Sequence, residues 1–108
     1  MSIAVEGFDD DTVDRALVVY VGRGETDRPE RRPDAVRALV APDRAPELVA
    51  LVERINEVAD SIELSKDDAE NFSLVPAFTR RIRTTYPWID DRASEALCWA
   101  SRYRRLFE

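Results

Sequence analysis

From Phe8 onward the chain alternates apolar stripes with polar breaks, and nearly every stripe has helical spacing. Asp9, Asp10 and Asp11 are followed by Val13, Ala16, Leu17, Tyr20 and Val21. Those apolar positions fall at i, i+3, i+4, i+7 and i+8, one face of an amphipathic helix. The aspartates supply the cap and the negative charge that a helix N-terminus favours. Leu17–Val21 is also an apolar run that a buried strand beside Ile3–Val5 would accommodate. The helix is the preferred reading, with Gly22 or Gly24 as its stop.

Residues 22–34 break the pattern, for they contain no strongly apolar residue. Arg23, Arg28, Arg31 and Arg32 balance Glu25, Asp27, Glu30 and Asp34, and Pro29 and Pro33 interrupt regular structure. Such a composition predicts a mobile, solvated, charged loop that serves as a linker or a contact element.

Pro33 suits the first turn of a short helix carrying Val36, Leu39 and Val40, closed by Pro42. Asp43 is placed to cap the next helix, which takes Pro46 in its first turn. Leu48, Val52, Ile55, Ala59 and Ile62 make its stripe, flanked by Val49, Leu51 and Val58. Glu53, Arg54, Asn56, Glu57, Asp60 and Glu63 occupy the other faces. Ser65 with Asp68 reads as a capping-box variant opening a short helix that ends before Pro76. Val75, Phe78, Ile82 and Tyr86 form a stripe on a helix over about 76–85, and Pro87 forces a break. Asp90 or Asp91 caps the last helix. On its wheel, at about 100° per residue, Ala93, Ala96, Leu97, Trp99, Ala100, Tyr103, Leu106 and Phe107 share one half. Ser94, Glu95, Ser101, Arg102 and Arg105 share the other. The fold predicted is all-α: a single-domain bundle of about five helices with a mobile charged loop near 22–34.

Composition fits one soluble domain: 108 residues, 44% hydrophobic and 35% charged. No apolar stretch approaches the roughly 18 residues of a membrane-spanning helix. The first residues show no basic region followed by an apolar run, so no signal peptide is expected. With Cys98 alone there is no internal disulfide, and the cytoplasm is the expected compartment.

The net charge of −6 argues against non-specific attachment to nucleic acid or anionic membranes. It is unevenly spread. Residues 80–108 hold seven arginines against four acids, a local +3, so residues 1–79 carry −9. Fifteen of the 16 cations are arginine, a bias that GC-rich coding accounts for without any ligand.

Several chemistries are excluded outright. The chain has no histidine, hence no imidazole for a triad, a proton shuttle or a zinc site. One cysteine cannot make a CxxC pair, and Cys98 sits off the centre of its apolar face with no histidine to activate it. Gly7, Gly22 and Gly24 make no phosphate loop. Asp9–Asp11 and the set Asp67, Asp68 and Glu70 sit at predicted helix starts, where capping explains them better than a metal does. No cofactor and no catalytic residue is predicted.

What remains is recognition. Glu53, Glu57, Asp60, Glu63, Asp67, Asp68 and Glu70 form an anionic run broken only by Arg54 and Lys66. A run of that kind suits a basic protein partner, in the manner of an inhibitor or immunity protein. The expected function is a non-catalytic protein-binding module with this acidic helical face as its contact. The alternative is nucleic-acid binding through Arg80, Arg83, Arg102 and Arg105 with aromatic support. Trp88, between Tyr86-Pro87 and the last cap, is either a plug at the bundle end or an exposed anchor, with the plug preferred. Val18, Val19 and Leu51 lie off the main stripes, which leaves room for a homodimer.

Overall fold

The computed structural model describes residues 8–63 and 74–107, with side chains up to residue 104. The described residues form five helices: α1 (Asp10–Val21), α2 (Pro33–Arg37), α3 (Ala45–Ser61), α4 (Leu74–Thr85) and α5 (Asp91–Phe107). The expected all-α bundle is present. Ser65, Asp67, Asp68 and Glu70, with the short helix expected there, lie outside the described residues.

Helix α1 begins and ends on the predicted residues. The Asp9 carboxylate accepts the Thr12 N–H at 2.7 Å, satisfying one of the orphan donors of the first turn. Gly22 stops the helix at φ +80°, and its N–H donates to the Val19 carbonyl at 3.2 Å. A side chain at Gly22 would be strained twice over, because its Cβ would also lie 2.6 Å from Thr26 Oγ1. The strand alternative for Leu17–Val21 is thereby settled in favour of helix.

Residues 22–32 are solvated over most of their side chains, but the backbone is tied to the end of α1. Glu30 N–H donates to Val21 O at 3.0 Å and Arg32 N–H to Tyr20 O at 2.9 Å. Thr26 Oγ1 hydrogen-bonds the carbonyls of Gly22 and Arg28. The loop thus satisfies carbonyls that the last turn of a helix leaves unpaired. Its charges are not needed for that.

The start of α3 differs from expectation. Arg44, not Asp43, stands at the N-cap, and no side chain caps the helix. Arg44 and Ala45 both donate to the Ala41 carbonyl, at 2.9 and 3.1 Å. The preceding turn winds directly into the helix, so no extended residue is available to act as a cap. Helix α4 starts at Leu74, two residues ahead of the expected Pro76, with that proline tolerated in its first turn. Helix α5 starts as predicted: Asp90 Oδ1 accepts the Ala93 N–H at 2.8 Å.

The core draws on all five helices, with Val36 the contribution of α2, and on Ile89 of the turn before α5. Leu17 and Val21 of α1, Leu48, Val52 and Ile55 of α3, Phe78 and Ile82 of α4, and Leu97 of α5 are essentially inaccessible. Burying each such side chain contributes roughly 1.5–3 kcal/mol. Helix α5 packs against α1, α4 and α3. Its contact stripe is small: Ala93, Ala96 and Ala100 are each fully buried, which lets neighbouring backbones approach closely.

Four positions fall on the other side of the surface from where periodicity put them. Ser94 and Ser101, expected outside, are buried because α5 is covered on a wider arc than its apolar residues span. Ser94 Oγ pairs with Thr79 Oγ1, and Ser101 Oγ donates to Ala59 O at 3.3 Å. Asn56 is buried too, its amide donating to Val52 O at 2.9 Å. Cys98, off the centre of its apolar face, is buried, as a cysteine there was expected to be. Val75 is the reverse case, exposed despite its place on the α4 stripe. Val18 and Leu51 are buried within one copy and Val19 partly so, which absorbs the apolar surplus that had suggested a dimer.

Candidate functional site

The expected acidic face lies on α3, and the structure gives it a shape. Glu53 and Glu57 are exposed and one turn apart. With Tyr20, Arg31, Asn56, Asp60 and Arg104 they line a concavity of about 290 Å³. Glu63 is exposed just past the C-terminal end of the helix. Asp60 is partly covered and is not a free acid. Arg104, on α5, donates through Nε to both Asp60 oxygens at 3.0 Å and through Nη2 to Oδ1 at 2.7 Å. Two-nitrogen pairing of this kind is the strong form of an arginine–carboxylate contact. The same Nη2 reaches Asn56 Oδ1 at 3.5 Å.

Arg104 is therefore consumed by Asp60 and does not neutralise Glu53 or Glu57. Those two make no ion pair among the described residues. The buried Tyr20 hydroxyl at the concavity floor is held above its ordinary pKa, first by burial and then by the Glu53 charge. Sequence periodicity located the two glutamates but not the clamp beside them, which joins residues 44 positions apart.

The alternative arginine set is not one patch. Arg83 is committed to the α4–α5 turn, where Nε donates to Ile89 O at 2.8 Å and Nη2 to Asp91 at 3.0 Å. Arg102 lies eleven residues beyond Asp91 on the same helix, roughly 16 Å along its axis. It borders a shallow apolar groove with Leu74, Val75, Cys98, Trp99 and Tyr103. Arg80 is exposed, and the Arg105 side chain is outside the described residues.

Trp88 is half-buried, edge-on to Tyr86 with ring centroids 5.9 Å apart. Its neighbour Ile89 is fully buried at 1% exposure, and Trp88 packs partly against the same core. Trp99 is covered on one face by the Arg23 guanidinium, 5.0 Å from the ring centroid, and Arg23 in turn grips Glu95.

One cluster was missed from the sequence. Asp14 on α1 is buried, at 6% exposure, and accepts the Asp90 backbone N–H at 3.2 Å. Burial pushes its carboxyl up to about 7, and the charges of Asp90, Asp10 and Asp11 push the same way, against the Asp90 hydrogen bond. The signal was available. Asp14, Leu17, Val18 and Val21 stand at i, i+3, i+4 and i+7, so the acid occupies the apolar stripe itself. Asp11, Asp14, Arg15, Val18, Val19, Asp90 and Arg92 line a second concavity of about 230 Å³. No group of acids or thiols suited to a metal ion occurs among the described residues. Burial raises the Cys98 thiol to about 11, so it stays protonated and unreactive at neutral pH.

The fold defines a class, a small all-α bundle. No helix among the described residues is long and apolar enough to cross a membrane. No family model matches the chain, and no match is found among curated proteins or solved structures.

Proposed function

We propose that this chain is a non-catalytic protein-binding module, acting in the cytoplasm, that receives a basic partner on the acidic face of α3. Glu53 and Glu57 are the principal contacts, with Glu63 at the edge and Asp60 as the clamped floor. The reading rests on one observation: two exposed carboxylates a turn apart lack an ion-pair partner while the adjacent arginine is fully engaged elsewhere. Side chains so placed, with Cβ atoms about 5–6 Å apart, suit an arginine or a pair of lysines. The total of −6 would speed encounter with such a partner.

The test is capture of partners from host lysate over a salt series, with and without nuclease, by the native chain and by Glu53→Lys/Glu57→Lys. A protein retained after nuclease by the native chain, and lost or slowed in association with the charge-reversed variant, supports the proposal. Retention unchanged by the variant moves the contact off this face. Recovery of nucleic acid that disappears at moderate salt replaces the proposal with the arginine alternative.

A further inference from the structure

We propose that the Asp14 carboxyl is a protonation-controlled clasp between α1 and the start of α5, closed when the acid is neutral and strained when it ionises. Three observations carry it. Asp14 is 94% withdrawn from solvent yet has no cation paired with it among the described residues. Its one hydrogen-bond partner among the described residues is the backbone N–H of Asp90, the residue that caps α5, so the contact joins positions 76 apart at the seam between the two helices. The chain contains no histidine, so apart from its α-amino group it has no side chain whose ordinary titration falls between pH 5 and 8.

The surrounding charge favours the neutral acid. From α1 itself the facing groups are Asp10, Asp11 and Arg15; from the start of α5 they are Asp90 and Arg92. No charged residue of α2, α3 or α4 lines this concavity. Asp10 also buries one carboxylate oxygen, Oδ1, without a hydrogen-bond partner. A neutral Asp14 still accepts the Asp90 N–H through one oxygen and gains an O–H donor in a space otherwise rich in acceptors. An ionised Asp14 keeps the Asp90 bond but places a third carboxylate charge among Asp11 and Asp90 in a poorly hydrated site.

The sign follows. The folded chain holds a proton on Asp14 up to about pH 7, whereas an unfolded chain releases it near 3.8. Between those values the folded state binds more protons, so its stability falls as pH rises and levels off above about 7. The folded-to-unfolded ratio should drop by up to about tenfold per pH unit in that window.

The test is a carbon-13 titration of the side-chain carboxyls of the full chain, beside urea unfolding between pH 5 and 8. A carboxyl titrating near 7, absent in Asp14→Asn, together with stability that declines with pH in the native chain and is flat in that variant, is the expected result. All carboxyls titrating below 5, or equal pH slopes in native chain and variant, would overturn it. Should Asp14→Asn fail to fold, Asp11→Asn changes only an exposed neighbour and must move the Asp14 midpoint to lower pH. An unmoved midpoint there would also overturn the assignment of the surrounding acids.

Discussion

Two covered carboxylates, Asp60 and Asp14, show opposite solutions to the same problem. Asp60 on α3 sits at the edge of the bundle and is met by the Arg104 guanidinium, whose own side chain is only 11% exposed. Asp14 on α1 is buried more deeply and is met by a single backbone N–H and by other acids. The first is a charge pair that fastens α3 to α5. The second is an acid that burial and neighbouring carboxylates hold neutral up to about pH 7, joining α1 to the start of α5 beside apolar packing. Burial alone therefore does not predict what an acid contributes; the partner does.

The comparison can be broken in order of expected effect. If the Asp14 end is held by apolar packing, Ile89→Ala should be the most damaging change, at about 3 kcal/mol in urea unfolding. A loss below about 1 kcal/mol would mean that polar contacts hold that seam instead. Arg104→Met should come next, at about 2 kcal/mol, because it removes the two-nitrogen contact to Asp60 and the donor to the Asn56 carbonyl in a partly covered site. Adding Asp60→Asn should recover part of that loss, and strict additivity of the two changes would show that the clamp carries no coupling.

Asp14→Asn should act with the opposite sign. At pH 8 it should stabilise the chain by about 1–2 kcal/mol, since it removes a buried charge and keeps an acceptor for Asp90. The gain should fade as pH falls through 7 and vanish below about 3.8, where the native acid is neutral in both states. The smallest effect belongs to Glu53→Lys and Glu57→Lys, within about 0.5 kcal/mol each. A larger destabilisation would show that these glutamates serve the fold rather than a partner.

Much of this architecture was legible in the pattern of residues. An aspartate cap (Asp9), a glycine stop (Gly22 of Gly22 and Gly24), the α3 stripe and an aspartate cap on α5 (Asp90 of Asp90 and Asp91) are local rules, each enforced within about one helical turn, and each appears among the residues expected. The errors share one cause. Ser94, Ser101, Asn56 and Val75 were sorted by their own polarity, but exposure depends on which neighbour covers them. Asn56 and Ser101 are buried because backbone carbonyls of Val52 and Ala59 accept their donors, which no wheel displays. The acidic face was half legible: Glu53 and Glu57 are outward as expected, while Asp60 is withdrawn by an arginine from another helix.

By itself the sequence determined the helical class, the ends of α1 and α5, most of the core and the absence of any imidazole chemistry, because those depend on residue type and short-range spacing. Only the tertiary structure decided that Arg104 closes on Asp60, that Ile89 is buried beside a partly buried Trp88, and that Asp14 is enclosed among acids. Each of those is a contact between residues distant in the chain. Electrostatic and packing energies depend on distance and solvent access, which are set only when the helices dock.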